Sequence, residues 1–440
     1  MVQLDGSIVT VALPAIQSDL HIRTSVSEWI LLGYLLPVIA LVLPSGRWLD
    51  KGGRQAMLIL ATAGFAATSV LAGVAPAIGW LIGARLAQGA CGAALLALTP
   101  ALSTAAVRPE ARGRAMGVVT TLGPLGAVTG PALGGVLVDT LGWPWIFFVN
   151  VPVSLLVIAV ALDQMAPDGP LRPPGRVWAT DALLLGTATG AVLLGLSLVA
   201  GHGLGWSALA LLAVPPLLVW WRLGSSRAVR DLLRVPGMAG PHIALLVAFA
   251  AAALIQFLAP FYLQQIVHAS AAVTGLTILA FPVAMAVLGT ISGALADWWG
   301  SRPTAVAGTF VVTVGLLLLA PLGGSWTVGD LLWRLAVLGV GVGLFNAPNM
   351  TMAMSTAPHD LLGTTAASTS LARQLGLALG PAVATAAWAL SGYTPGGMRG
   401  AVVIGAGLSV LGAAALVGTR QAVTEPPVTA ARAGGPRLEG

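Results

Sequence analysis

The sequence predicts an all-α integral membrane protein, and three observations carry that prediction. Apolar residues make up 57% of the 440-residue chain and charged residues only 8%, where soluble proteins carry about 25%. With 21 basic and 15 acidic side chains, there are too few ions to cover a water-facing surface of this size. Apolar runs of the length a helix needs to cross a bilayer, about 20 residues, follow one another along the whole chain. Strands of a membrane barrel would alternate polar and apolar over about ten residues, so runs of twice that length exclude a barrel. The 56 glycines have no three-residue period, which excludes collagen.

The runs lie near residues 2–20, 29–46, 56–75, 79–104, 115–138, 145–163, 182–200, 204–221, 243–264, 272–296, 304–322, 331–352, 364–390 and 400–418, which makes fourteen predicted transmembrane helices. Span 1 carries Asp5; no basic stretch precedes it and no A-x-A site follows it before span 2, so no cleavable signal is expected. Span 2 runs into the glycine-rich turn at 46–54, span 4 opens around Arg85, and span 5 is studded with glycine. Spans 7 and 8 precede an arginine-rich loop at 222–234. The tail, 420–440, has few apolar residues and is expected to be disordered.

Alternating the loops between the two sides places Arg47, Lys51, Arg54, Arg108, Arg112, Arg114, Arg172, Arg176, Arg222, Arg227, Arg230, Arg234, Arg302, Arg420, Arg432 and Arg437 together. The other side keeps Arg23 and Arg399, while Arg85, Arg334 and Arg373 fall within or at the ends of spans. Basic loops are cytoplasmic. The bias therefore puts both termini inside and explains the net charge of +6 as membrane anchoring instead of nucleic-acid binding. Omitting one span would invert every later loop and scatter the charges.

The chain also repeats itself. Gly46, Asp50, Gly53 and Arg54 recur as Gly293, Asp297, Gly300 and Arg302, about 247 residues on. Arg85 recurs as Arg334, 249 on, and Gly126, Gly130 and Pro131 as Gly376, Gly380 and Pro381, 250 on. The expected organisation is a six-helix half at 1–163, a linker at 164–241 holding two inserted helices, a second six-helix half at 242–419 and a cytoplasmic tail at 420–440. Two parallel halves around a central site form a transporter architecture, in which one half rocks against the other.

The turn Gly46-Arg47-Trp48-Leu49-Asp50-Lys51-Gly52-Gly53-Arg54 resembles the signature loop of the major facilitator superfamily. Gly126-Ala-Val-Thr-Gly130-Pro131-Ala-Leu-Gly134-Gly135 is similar to the helix 5 motif of its drug antiporters. The segments Leu4–Pro14 and Trp143–Pro152, with fourteen spans, resemble the fourteen-helix drug:proton antiporter family over nearly the whole chain. Trp48, Thr10 and Pro144 depart from that pattern, and only Pro144 removes a charge, at the outer anchor of span 6. The resemblance implies the major facilitator fold in a bacterial cytoplasmic (inner) membrane. It also implies a proton-coupled antiporter that exports amphipathic drugs or antibiotics as a monomer, with the proton gradient in place of a cofactor.

Asp5 is the one carboxylate that this reading sets well inside a span, about 20 Å from the outer end of its helix. Burying it ionised costs roughly 3 kcal/mol, so it is suited to take up a proton in one conformation and release it in another. The alternative places Asp5 at the cytoplasmic interface or at a helix cap. Arg85, in Arg85-Leu86-Ala87-Gln88-Gly89, needs a carboxylate or carbonyl partner if it faces the interior; otherwise it snorkels to the headgroups. The resemblance ties both residues to proton coupling, with Asp5 as the plausible partner of Arg85. It likewise makes Gly46, Asp50, Lys51, Gly53 and Arg54 a conformational latch, with Asp297 and Arg302 as a weaker copy.

Gly126, Gly130 and Gly134 recur every four residues and give span 5 a small-residue face, with Pro131 and Gly135 beside it. The resemblance places that face where the halves meet and makes it a seal against leak. Tyr34, Gln88, Gln256, Tyr262, Asn346, Asn349 and Arg373 are polar residues in apolar spans, and hence candidate cavity contacts or structural bonds. Without a membrane carboxylate in the second half, the expected cargo is neutral, anionic or weakly basic. Proton-coupled import of a metabolite and a non-transporting sensor are the rival functions; span 5 opposes the first and the repeat the second.

No phosphate-binding loop G-x-x-x-x-G-K-[ST] occurs, and Gly339–Gly343 lies inside an apolar run, so no nucleotide site and no enzyme activity are expected. His21, His202, His242, His268 and His359 lack metal-ligand spacing, and Cys91 stands alone, so no metal is expected.

Overall fold

A computed structural model describes residues 1–49, 53–105, 112–166, 169, 171, 173–322, 326–358 and 361–418. The described residues hold helices and no strand. In chain order these are α1 (Val2–Asp19), α2 (Trp29–Leu49), α3 (Arg54–Gly73), α4 (Ile78–Ala105), α5 (Arg112–Leu141), α6 (Trp145–Gln164) and α7 (Arg176–His202). They continue as α8 (Leu204–Arg222), α9 (Ala239–Ile266), α10 (Ala271–Trp299), α11 (Ser301–Leu319), α12 (Val328–Thr356), α13 (Leu362–Leu390) and α14 (Pro395–Gly418). A single turn, Thr24–Ser27, precedes α2, and a short helix, Arg227–Leu233, follows α8.

Among the described residues, eleven helical stretches are long and apolar enough to cross a membrane. The predicted spans 1, 5 and 13 also fall on helices: α1 and α13 are less apolar because they carry polar residues such as Asp5 and Arg373, and in α5 the described apolar stretch is the shorter Gly126–Leu141. Large apolar side chains on the outside of the bundle, Leu155, Leu156 and Leu211 among them, stay exposed. A surface of that kind is stable against lipid and not against water.

Helix pairing repeats along the chain. Within α1–α6, α1 packs on α5, α2 on α4, and α3 on α4 and α6. Within α9–α14, α9 packs on α13, α10 on α12, and α11 on α12 and α14. The turns opening α3 and α11 are matched as well: Gly53 (φ 76°) and Gly300 (φ 92°) both adopt the left-handed backbone that glycine tolerates. α7 lies across the seam between the two sets and packs on both α2 and α13.

The two sets touch through α5 and α10, α2 and α13, and α1 and α9. Asp139, near the end of α5, accepts the backbone N–H groups of Ala271 (3.0 Å) and Ala272 (2.7 Å), at the start of α10. A carboxylate there satisfies donors that a helix start leaves unpaired and complements its dipole. This contact closes the end of the bundle opposite the start of α3 and the 222–234 loop.

Candidate functional site

Five helices of the first set converge on one buried polar cluster. Asp5 of α1 and Arg85 of α4 are both fully buried, and Arg85 Nη1 donates to Asp5 Oδ2 at 2.6 Å. Arg85 Nε donates to the Ile30 carbonyl of α2 at 2.9 Å, and its guanidinium lies 4.4 Å from the Tyr34 ring centroid. Gln88, one turn after Arg85 on α4, links the rest. Its Oε1 accepts from Arg85 Nη1 at 2.6 Å, and its Nε2 donates to Asp5 Oδ1 (3.1 Å) and Ser69 Oγ (2.8 Å). Asn150 of α6 donates through Nδ2 to Asp5 Oδ1 at 2.8 Å.

Every recorded partner of the Asp5 carboxylate is a donor. Two amides and a guanidinium surround its two oxygens. The buried pair thus satisfies the rule that charges away from water are paired and hydrogen-bonded.

The structure brings the expected pair, Asp5 and Arg85, together and adds Gln88, Asn150 and Ser69. Gln88, a cavity candidate in the sequence, belongs to this cluster and is fully buried; Tyr34, another, is 3% exposed beneath Arg85. Asn349 is also buried, and donates to the Pro241 carbonyl at 3.1 Å as a bond between α12 and α9. Tyr262 is buried edge-on to Trp326. Gln256 is half-buried on α9. Asn346 and Arg373 meet: Arg373 Nη2 donates to Asn346 Oδ1 at 3.1 Å, with the guanidinium 5.0 Å from the Phe249 centroid. These two form a polar contact between α12 and α13 of the second set.

The glycines of α5 divide between two neighbours. A Cβ at Gly126, Gly130 or Gly134 would meet Leu4, Ser7 and Ile8 of α1 at 3.3 Å or less. A Cβ on Gly135 would instead come within 2.3 Å of the Ala271 carbonyl of α10, and one on Gly275 within 2.1 Å of the Pro131 carbonyl. α5 thus links α1, which carries Asp5, to the other set. Overpacking such a contact costs about 1–3 kcal/mol. Gly275→Val should therefore favour molecules parted at this end by about tenfold, read as loss of cross-linking between cysteines placed on α5 and α10.

The latch residues Asp50 and Lys51 lie outside the described residues, as does the expected disordered tail, while Gly46 lies in the last turn of α2 and Arg54 begins α3. Their counterparts do not pair: Asp297 is exposed, and Arg302 Nε donates to the Leu416 carbonyl at 3.1 Å, with Nη2 bonded to that of Val417. A cation at the last carbonyls of α14 offsets the helix dipole there. Arg334, the repeat partner of Arg85, is likewise different. It pairs with Asp330 at 3.3 Å and lies 4.0 Å from the Trp326 centroid.

The model of the Major Facilitator Superfamily matches residues 1–381 and 242–438. The chain is 31% identical over 402 residues to the multidrug resistance protein Stp of Mycobacterium tuberculosis, covering 88% of the chain and 74% of Stp. It is 29% identical to the tetracenomycin C resistance and export protein of Streptomyces glaucescens, covering 87% and 72%. To the riboflavin transporter RibZ of Clostridioides difficile it is 26% identical, covering 87% and 84%.

Proposed function

The chain belongs to the major facilitator superfamily, as a multi-pass membrane transporter, and on that premise we propose that it is a proton-driven antiporter exporting amphipathic organic compounds from the cytoplasm. The observation that carries this reading is the buried Asp5–Arg85 pair with Gln88 and Asn150 around it. Export as the direction draws on the relatives described by multidrug resistance and by antibiotic export.

In this reading all fourteen helices cross the membrane, both termini are cytoplasmic, and the contact between Asp139 and α10 closes the outer face. α1–α6 and α9–α14 are the two rocking halves of a monomer, joined by α7 and α8, with the 46–54 turn as a cytoplasmic latch. Asp5 is here the carboxylate that has released its proton inward. Reprotonation from outside removes its charge and loosens its hold on Arg85, which keeps the Ile30 carbonyl and Gln88. α1 is then freed against α4 and can transmit its shift through the α5 glycines to α10. One proton supplies about 2.3 kcal/mol per 100 mV.

Asn346 and Arg373 place a hydrogen-bonded cation in the second half, which suits neutral, anionic or weakly basic cargo. The relation to a riboflavin transporter favours a second reading, carriage of a metabolite. Inside-out vesicles with an imposed proton gradient decide between them: a panel of drug-like dyes should be concentrated, and a protonophore should collapse the uptake. Accumulation of riboflavin-like metabolites alone would support the second reading, and transport indifferent to the protonophore would overturn proton coupling.

A further inference from the structure

The sequence places Glu28 in the loop before span 2, and the structure buries it completely. The turn Thr24–Ser27 folds the chain back into the bundle, held by Ser27 Oγ donating to the Thr24 carbonyl and by Gln17 of α1 bonded to Thr24 Oγ1. Glu28 therefore stands at the head of α2, at the closed end of the bundle, where this turn packs against α1, α7 and α13. Neither of its carboxyl oxygens has a hydrogen-bond partner. The hydroxyls of Ser197 (α7) and Thr385 (α13) lie beside it, the first already accepting from Trp29 Nε1 and the second without a partner.

The charged and titratable groups around it do not compensate a carboxylate. α7 and α13 offer those hydroxyls alone. The turn after α13 brings Tyr393, a phenol held above its ordinary pKa by burial and lying within the influence of both Glu28 and Arg23. On α1, Asp19 is engaged by Trp143 Nε1 at 2.8 Å. Arg85 of α4 reaches the Ile30 carbonyl, two residues on, and hence on the far side of the α2 helix, and its charge is matched by Asp5. A carboxylate with no cation beside it and only two hydroxyls, those of Ser197 and Thr385, able to donate to it is costly to bury ionised.

We propose that Glu28 is a second proton-binding site, occupied while the two sets of helices are joined at this end and vacated when they part. Joining buries the carboxyl between α2, α7 and α13 as the neutral acid, O–H, able to donate to Thr385 Oγ1. Parting admits water, the O–H bond breaks, and the proton goes to solvent on that same side. The proton is taken up and returned at one face, so it sets the closure of that face and is not the proton carried by Asp5. This inference rests on the reading that the sets part at this end during transport.

The test uses the full chain in lipid nanodiscs, with Cys91→Ser and spin labels at Leu141→Cys and Leu390→Cys, exposed positions at the closed end of α5 and α13. One linked proton changes the parted-to-joined ratio by up to tenfold per pH unit, so the parted population should grow as pH rises. It should do so in the Asp5→Asn background as well, and Glu28→Gln should stay joined at every pH. Infrared spectra of the joined state should show a protonated-carboxyl band that Glu28→Gln removes, a readout that does not depend on the stability of the variant. A pH response lost with Asp5→Asn, unchanged by Glu28→Gln, or without the carboxyl band overturns the assignment. A distance that never changes at any pH, even with dye cargo, overturns the alternating-access reading as well.

Discussion

Asp5→Asn should reduce gradient-driven efflux to the level of vesicles lacking the protein, while leaving a folded chain. The amide keeps an oxygen for Gln88 and Asn150 and fills the same volume, and Arg85 retains the Ile30 carbonyl, Gln88 Oε1 and the Tyr34 face. What it loses is the negative charge that faces Arg85 and the ability to bind and release a proton. If efflux is driven by proton binding at Asp5, cargo should still exchange down its own gradient at a measurable rate. Concentrative, protonophore-sensitive efflux by Asp5→Asn would remove Asp5 from the mechanism.

Arg85→Leu should be the most destabilising single change in the first set of helices. It strips a fully buried carboxylate of its counter-ion, and breaking a buried pair from one side costs about 3–5 kcal/mol. Converting both ends is a different matter, since apolar replacement of a buried pair is often neutral. The Asp5→Asn/Arg85→Leu double variant should therefore melt above Arg85→Leu and remain inactive in concentrative efflux. The cycle of four proteins, melted in detergent, gives the coupling directly. Additive losses in that cycle would mean that the ion pair does not contribute to the fold.

Much of this site was legible because a charge in an apolar run is so rare. Asp5 and Arg85 stand out for that reason, and what their sequence leaves open is whether each faces the interior or the membrane interface. Uncharged polar residues carry no such signal. Gln88 read as a cavity residue although it lies one turn from Arg85, and Asn150 and Ser69 were not singled out at all. A buried amide or hydroxyl can satisfy a backbone carbonyl, a cargo or an ion pair, and composition does not distinguish these.

Glu28 gives no signal for another reason: it stands at a span boundary, where a charge is ordinarily solvated, and only the return of the Thr24–Ser27 turn into the bundle buries it. The repeat located equivalent backbone but not equivalent chemistry. Gly53 and Gly300 share a left-handed turn, whereas Arg302 grips the end of α14 and Arg334 an aromatic pair, because side-chain partners depend on neighbours that the two copies do not share.

α7 has a mechanical consequence. Leu193 packs in one aliphatic cluster with Leu32 and Ile39 of α2 and with Ala378 and Ala382 of α13. Aliphatic contacts have no directional register, so either partner can slide along α7 without breaking a bond. Trp29 Nε1, at the head of α2, donates to Ser197 Oγ of α7 at 2.9 Å and fixes one point on that surface. In the proposed transport cycle α2 would turn about that pin, with its widest travel at the far end, beside the arginine-rich loop.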